Sequence, residues 1–165
     1  MRFLNIKNKN GFTLIELLVV VAIIGLLASI VLTSLSSSRA KGNNAKVKNQ
    51  LLSIRTAAEL YYNIDGNYGA TTTSCSAGMF TNTVSGLAAL VTVNNYPSGT
   101  LLDCGSNGNS WSVAATLNGG TASSGPSWCV DSTGVSRGTL INGTTYNGLS
   151  VTGGPHNNPG IPYCL

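Results

Sequence analysis

Apolar residues crowd one end of this chain and thin out, with a change of period, toward the other. From Phe12 to Leu35 the sequence is apolar and carries a single charge, Glu16. A helix over those 24 residues is roughly 36 Å long at about 1.5 Å per residue, enough to cross about 30 Å of bilayer hydrocarbon. The pattern therefore predicts a membrane segment. Beyond it, Ala40, Val47, Leu51, Ile54, Ala58 and Tyr61 recur at spacings of three, four or seven, the period of a helix with one buried face. Gly42-Asn43-Asn44 is a weak point in that run. Asp65-Gly66 is a stop signal, since glycine readily takes the left-handed conformation that ends many helices. The expectation is one long helix over 12–65, membrane-embedded in its first half and amphipathic in its second.

After Gly66 the period becomes that of strands. Trp111, Val113, Ala115 and Leu117 alternate with Ser112, Ala114 and Thr116, which predicts a strand with one buried face. Asn118-Gly119-Gly120 supplies turn chemistry, and Trp128-Cys129-Val130 reads as a second strand ending at the turn Asp131-Ser132-Thr133-Gly134. Leu87 to Val91 reads as a short helical turn. The tail, with Pro155, Pro159 and Pro162, predicts an irregular loop tied down by Cys164.

Composition narrows the class. The chain has 165 residues, one domain plus appendages, and only 8% are charged, against about a quarter in ordinary soluble domains. That argues against a typical cytosolic enzyme and against a charged disordered tail. The net charge of +4 is unevenly placed, because eight of the nine basic residues precede residue 56. From Gly66 to Leu165 the charged side chains are Asp103, Asp131 and Arg137, and 55 of those 100 residues are Gly, Ser, Thr or Asn. Phosphate recognition needs clustered Lys and Arg, so nucleic acid is disfavoured as a partner of this half. All four cysteines, Cys75, Cys104, Cys129 and Cys164, lie in it. An even count in a polar segment predicts disulfides made in an oxidising compartment. Separations of 29, 25 and 35 contain no close C-x-x-C pair for zinc. Of the three pairings, order and loop size favour Cys75 with Cys104 and Cys129 with Cys164.

The apolar run is longer than a secretory signal needs, and no small-residue cleavage site follows Leu35. Basic residues flank it on both sides, Arg2, Lys7 and Lys9 against Arg39, Lys41, Lys46 and Lys48, so the charge rule does not orient it. The cysteines and composition of the following half place that half outside the cytoplasm.

At Gly11-Phe12-Thr13-Leu14-Ile15-Glu16 the sequence resembles the type IV pilin and pseudopilin family. The apolar continuation with Gly25, and Tyr61-Tyr62 followed by Gly66-Asn67-Tyr68, resemble it too. Trp128-Cys129-Val130-Asp131-Ser132-Thr133-Gly134 is similar to head segments of some pilin-like proteins. The resemblance implies an α+β fold in which a long N-terminal helix packs against a small antiparallel sheet tied by disulfides. It implies a cleaved leader, 1–11, a helix, 12–65, whose part 12–35 is transmembrane and later filament core, and a head, 66–165, with a C-terminal disulfide loop. A prepilin peptidase would cut between Gly11 and Phe12 and methylate the new amine of Phe12. The remaining 154 residues would carry a balance of +1, so much of the basicity is leader. One departure is that the proline many relatives carry downstream of Gly25 falls at Thr33, which argues against stretching of the helix there.

Glu16 can be weighed without the family. A carboxylate in a membrane helix costs on the order of 3 kcal/mol, while each Leu, Ile, Val or Phe returns about 0.3 to 0.6 kcal/mol. About fifteen such neighbours outweigh it, yet the charge does nothing for a lone helix. An intramembrane charge is a functional candidate with a partner to be named. The resemblance names it: the N-terminal amine of Phe12 on a neighbouring subunit, with Glu16 acting as a register pin. The plainer reading is a carboxylate welcome at a helix N-terminus. Ala22, Gly25 and Ala28 are small residues that let helices approach closely.

Other candidates weigh less. His156 stands in a Gly/Pro/Asn loop and would make a triad only by chance with Asp103 or Asp131. Asp131 with Ser132, Thr133 and Gly134 is read as a turn rather than a calcium site. The basic stripe from Arg39 to Arg55 is read as a solvated or intersubunit face. The expectation is a structural subunit with no catalytic residues, metal or cofactor. Its implied partners are copies of itself, other pilins, the prepilin peptidase, and an inner-membrane assembly platform with its ATPase. Its implied path runs from the inner membrane to an extracellular pilus. A type II secretion pseudopilin is the alternative, and an uncleaved membrane-anchored binding module a further one.

Overall fold

The structure, a computed structural model, describes residues 11–121, 125–141 and 164. The expected cleaved leader up to Asn10, His156 and the three tail prolines lie outside the described residues. The chain divides into two compact units, Met1–Arg39 and Ala40–Leu165, and the division falls inside the first helix.

That helix, α1, runs over Leu14–Asp65, 52 residues, and passes Gly42-Asn43-Asn44 without a break. In the first unit, every described side chain of Phe12 to Leu35 is exposed, and the most apolar window of the helix has no part buried. In the second unit the helix is amphipathic as its spacing requires: Val47, Leu51, Ile54 and Ala58 are buried, together with Ala57. It ends where Gly66, at φ 72°, takes the left-handed conformation and its N–H donates to the Tyr62 carbonyl at 2.8 Å, closing the last turn.

The second unit also holds a five-stranded antiparallel sheet in the order β1-β2-β3-β4-β5. The strands are β1 (Tyr68–Thr72), β2 (Leu102–Gly108), β3 (Trp111–Thr116), β4 (Gly125–Asp131) and β5 (Ser136–Ile141). A short helix, α2 (Leu87–Leu90), lies between β1 and β2, flanked by single 3-10 turns. The fold is α+β.

Cross-strand register assigns two faces. One carries the rows Leu102, Ala115, Trp128 and Gly138, then Cys104, Val113, Val130 and Ser136. Trp111, Val113, Ala115, Cys104 and Val130 from this face join Val47, Leu51 and Ile54 of α1 in the main core. The other face carries Asp103, Ala114, Cys129 and Arg137 in one row, and Gly105, Ser112 and Asp131 in the next. The expected one-sided burial of β3 is corrected here: all six of its residues are buried. Ala114 packs with Cys129 and Cys164 in a second small cluster. On the same face, the Thr116 hydroxyl accepts the Leu101 N–H at 2.8 Å. Small and hydroxyl-bearing side chains therefore line a covered face, which polar/apolar alternation alone reads as solvent.

Candidate functional site

The first site is the start of α1. Thr13 stands immediately before the helix, and its backbone N–H and hydroxyl both donate to Glu16 Oε2, at 2.9 and 2.8 Å. The Glu16 N–H donates back to Thr13 Oγ1 at 3.3 Å. Thr-x-x-Glu is a reciprocal capping box, which satisfies donors that a helix start otherwise leaves open. From sequence, Glu16 stands out as a charge awaiting a partner or as a carboxylate at a helix N-terminus, whereas Thr13 is passed over, although the Thr-x-x-Glu spacing ahead of an apolar run is its signal. Both donors from Thr13 fall on one carboxylate oxygen, and Glu16 Oε1 accepts no hydrogen bond among the described residues. The carboxylate is thus aimed by its own helix with one oxygen free. Gly11 is exposed and Phe12 is 80% exposed, so this junction is open to an enzyme or to another chain.

The second element is the apolar surface behind that junction. A Cβ at Gly25 would meet nothing within 4 Å, so its lack of a side chain relieves no crowding inside the chain. What it provides is a flat place on an exposed helix, suited to close approach by another helix. A continuous exposed apolar surface of this kind is unsuited to water and marks a membrane or protein contact.

In the second unit, the cysteines join as Cys75–Cys104 and Cys129–Cys164. The first ties the segment after β1 to β2, and the second ties Cys164 to β4. Asp131 is fully buried, and its carboxylate is consumed by backbone and hydroxyl donors. Oδ1 accepts from the Thr133 N–H at 2.9 Å, the Thr133 hydroxyl at 2.7 Å and the Val135 N–H at 3.1 Å. Oδ2 accepts the Cys164 N–H at 2.8 Å, while Arg137 Nη2 donates to the Cys164 carbonyl at 2.6 Å. Cys164 is therefore held through its sulfur, its N–H and its C=O. Asp131 works as a turn and anchor, and no group of three potential metal ligands occurs among the described residues.

Asp103 differs from Asp131. Its Oδ2 is buried with no hydrogen-bond partner. Burial pushes its carboxyl up to about 7, with the Cys104 N–H pulling the other way. Tyr68 is pushed up to about 12, by burial first and then by its hydrogen bond to Glu59.

The reading of the basic stripe as a solvated or intersubunit face is corrected at two positions. Lys48 Nζ stands 4.1 Å over the Trp128 ring, and Arg55 Nη2 donates to the Val135 carbonyl at 2.8 Å. Both are half-buried and bind α1 to the β4–β5 hairpin. Arg39, Lys41 and Lys46 are exposed.

Residues 6–32 match the family model for the prokaryotic N-terminal methylation motif. The chain is 32% identical over 93 residues to type II secretion system core protein G of Klebsiella pneumoniae, covering 56% of this chain and 63% of that protein. It is also 38% identical over 64 residues to the type IV major pilin protein PilA of Myxococcus xanthus, covering 39% and 29%. A third relative is the type IV wide pilus major component PilA4 of Thermus thermophilus, 41% identical over 61 residues, covering 37% of this chain and 46% of that one. Over 37–56% of its length, then, the chain is similar to a type II secretion pseudopilin and to type IV pilins. The chain spans under two thirds of the length of each of these relatives. No solved structure matches.

Proposed function

We propose that this chain is a non-catalytic structural subunit that polymerises through α1 into an extracellular filament. A prepilin peptidase cuts between Gly11 and Phe12 and methylates Phe12. The membrane stores the exposed apolar half of α1, and an inner-membrane platform driven by an ATPase moves subunits into the polymer. Glu16 meets the Phe12 amine of the next copy, and Gly25 lets the helices close. The observation that carries this reading is the start of α1. An accessible Gly11-Phe12 junction stands before a carboxylate that is aimed by Thr13, has one oxygen free, and is followed by a helix surface with no cover of its own.

A second reading is supported by the relatives themselves. The Klebsiella pneumoniae core protein G match extends over more of both chains than the two pilin matches do, which favours a pseudopilus serving type II secretion. The covalent chemistry is the same in both readings. Intact mass and N-terminal peptide mapping of the protein from its own cells test it. A chain starting at methylated Phe12 with both disulfides is the expected result. A chain starting at Met1 overturns the proposal in favour of a tethered binding module. Imaging then separates the two filaments, because surface fibres mark a pilus, whereas a secretion defect without surface fibres on deletion marks a pseudopilus.

A further inference from the structure

The second unit contains a cleft of about 200 Å³ where α1 meets two turns, one over 97–100 and one over 117–120. Its apolar floor is Val47, Pro97 and Leu117, and its polar wall includes Asn43, Asn44 and Ser98. None of the lining residues is charged. The volume is a little above the roughly 150 Å³ of a cavity that takes a benzene ring, the scale of a single six-membered ring.

The walls are fixed. The Asn118 N–H donates to Asn44 Oδ1 at 2.7 Å, joining the β3–β4 turn to α1. The Gly120 N–H donates to the Leu117 carbonyl at 2.8 Å. Gly119, at φ 86°, supplies the left-handed residue this turn needs, and a Cβ there would meet nothing within 4 Å. The side chains of Asn43, Ser98 and Asn118, by contrast, are exposed and have no partner among the described residues. Amides and a hydroxyl, able to donate and accept, thus surround an apolar floor on a braced frame.

We propose that this cleft binds the ring of a neutral saccharide, with Asn43, Ser98 and Asn118 hydrogen-bonding its hydroxyls and Val47, Pro97 and Leu117 taking its C–H face. The chemistry selects this class. Phosphates, carboxylates and ammonium groups would enter without a counter-charge, and a purely apolar ligand would strand the amides. The inference does not depend on polymerisation.

The test is an amide NMR titration of the full chain, held in a phosphocholine detergent that has no sugar headgroup, with N-acetylglucosamine and methyl glucoside as probes. The expected result is saturable shifts at Asn43, Gly99 and Gly119, weakened about tenfold or more by Ser98→Phe, which plugs the mouth, and less strongly by Asn43→Ala. Ser98 and Asn43 are exposed, so both variants should keep the wild-type spectrum elsewhere. Glucose-6-phosphate should bind no better than the neutral probes. Absence of saturable shifts with either neutral probe overturns the proposal, as do shifts unchanged in Ser98→Phe. Shifts that follow protein concentration instead of sugar overturn it too, in favour of a second copy as the occupant.

Discussion

At the scale of single residues, Glu16 in the first unit and Asp103 in the second use carboxylates in opposite ways. Glu16 shares Oε2 with two donors of Thr13 and keeps Oε1 open. Thr13→Ala removes the hydroxyl from this box and should weaken the first turn by about 1 kcal/mol. Amide exchange at Leu14 to Leu17 in micelles should then quicken about fivefold, while Thr13→Ser stays near wild type. Asp103 makes a prediction of the other sign from most acids. Its folded carboxyl titrates at about 7, above the ordinary value of 3.8, so between those limits the folded state holds a proton that the unfolded chain has released. Its contribution to stability is therefore full below about pH 4, falls as pH rises through that window and levels off above about pH 7, by on the order of a few kcal/mol. Urea titrations at pH 4.5 and pH 8 should show this loss, and Asp103→Asn should flatten it. An unchanged slope in that variant would show that Asp103 is not its source.

At the scale of elements, the hairpin β4–β5 is fastened to α1 through Trp128. Lys48 covers one side of its ring, Ser136 Oγ lies 3.1 Å from its Nε1, and Gly138 sits opposite it in the register. A Cβ at Gly138 would come 3.1 Å from Trp128 Cζ3. Gly138→Val should therefore push the ring off its seat and destabilise the second unit by about 1–3 kcal/mol, read as a lower thermal midpoint and altered near-ultraviolet dichroism. Dichroism and midpoint both unchanged would show that the ring has room to move. The same elements show what was legible from sequence. Helix α1 announced itself through a long apolar run, a 3.6-residue period and Asp65-Gly66. Strand β3 announced itself by alternation, though its second face did not, because Ser112, Ala114 and Thr116 are small or hydroxylated and read as solvent-facing. Strands β1 and β2, with sequences YGATT and LDCGSNG, carry little apolar alternation. Their pairing with neighbours and the Cys75–Cys104 link place them, and those constraints are not local. At the site, Glu16 was conspicuous as a charge among hydrocarbon, whereas Thr13 mattered only through geometry.

At the scale of the whole molecule, the first unit has apolar surface without cover and the second has a core of its own, so the proposed assembly is best tested at the first unit's charge. If Glu16 pairs with the Phe12 amine of the next copy, Glu16→Ala spares the membrane a charge worth on the order of 3 kcal/mol, and insertion should be undiminished. In the polymer the same change strands an amine among apolar helices. Breaking a buried pair costs about 3–5 kcal/mol, more than the roughly 1.4 kcal/mol that a tenfold change requires, so filament yield should fall at least tenfold. Alanine also removes the cap, which leaves two explanations for such a loss. Glu16→Gln separates them: its amide oxygen can still accept from Thr13, but it brings no negative charge. Membrane fractionation and sheared-filament yield on all three forms decide the matter. Pairing predicts that Gln fails as Ala does, with both inserted normally. Wild-type yield from Gln would mean that Glu16 serves the start of its own helix, and that the register of the polymer is set elsewhere along α1.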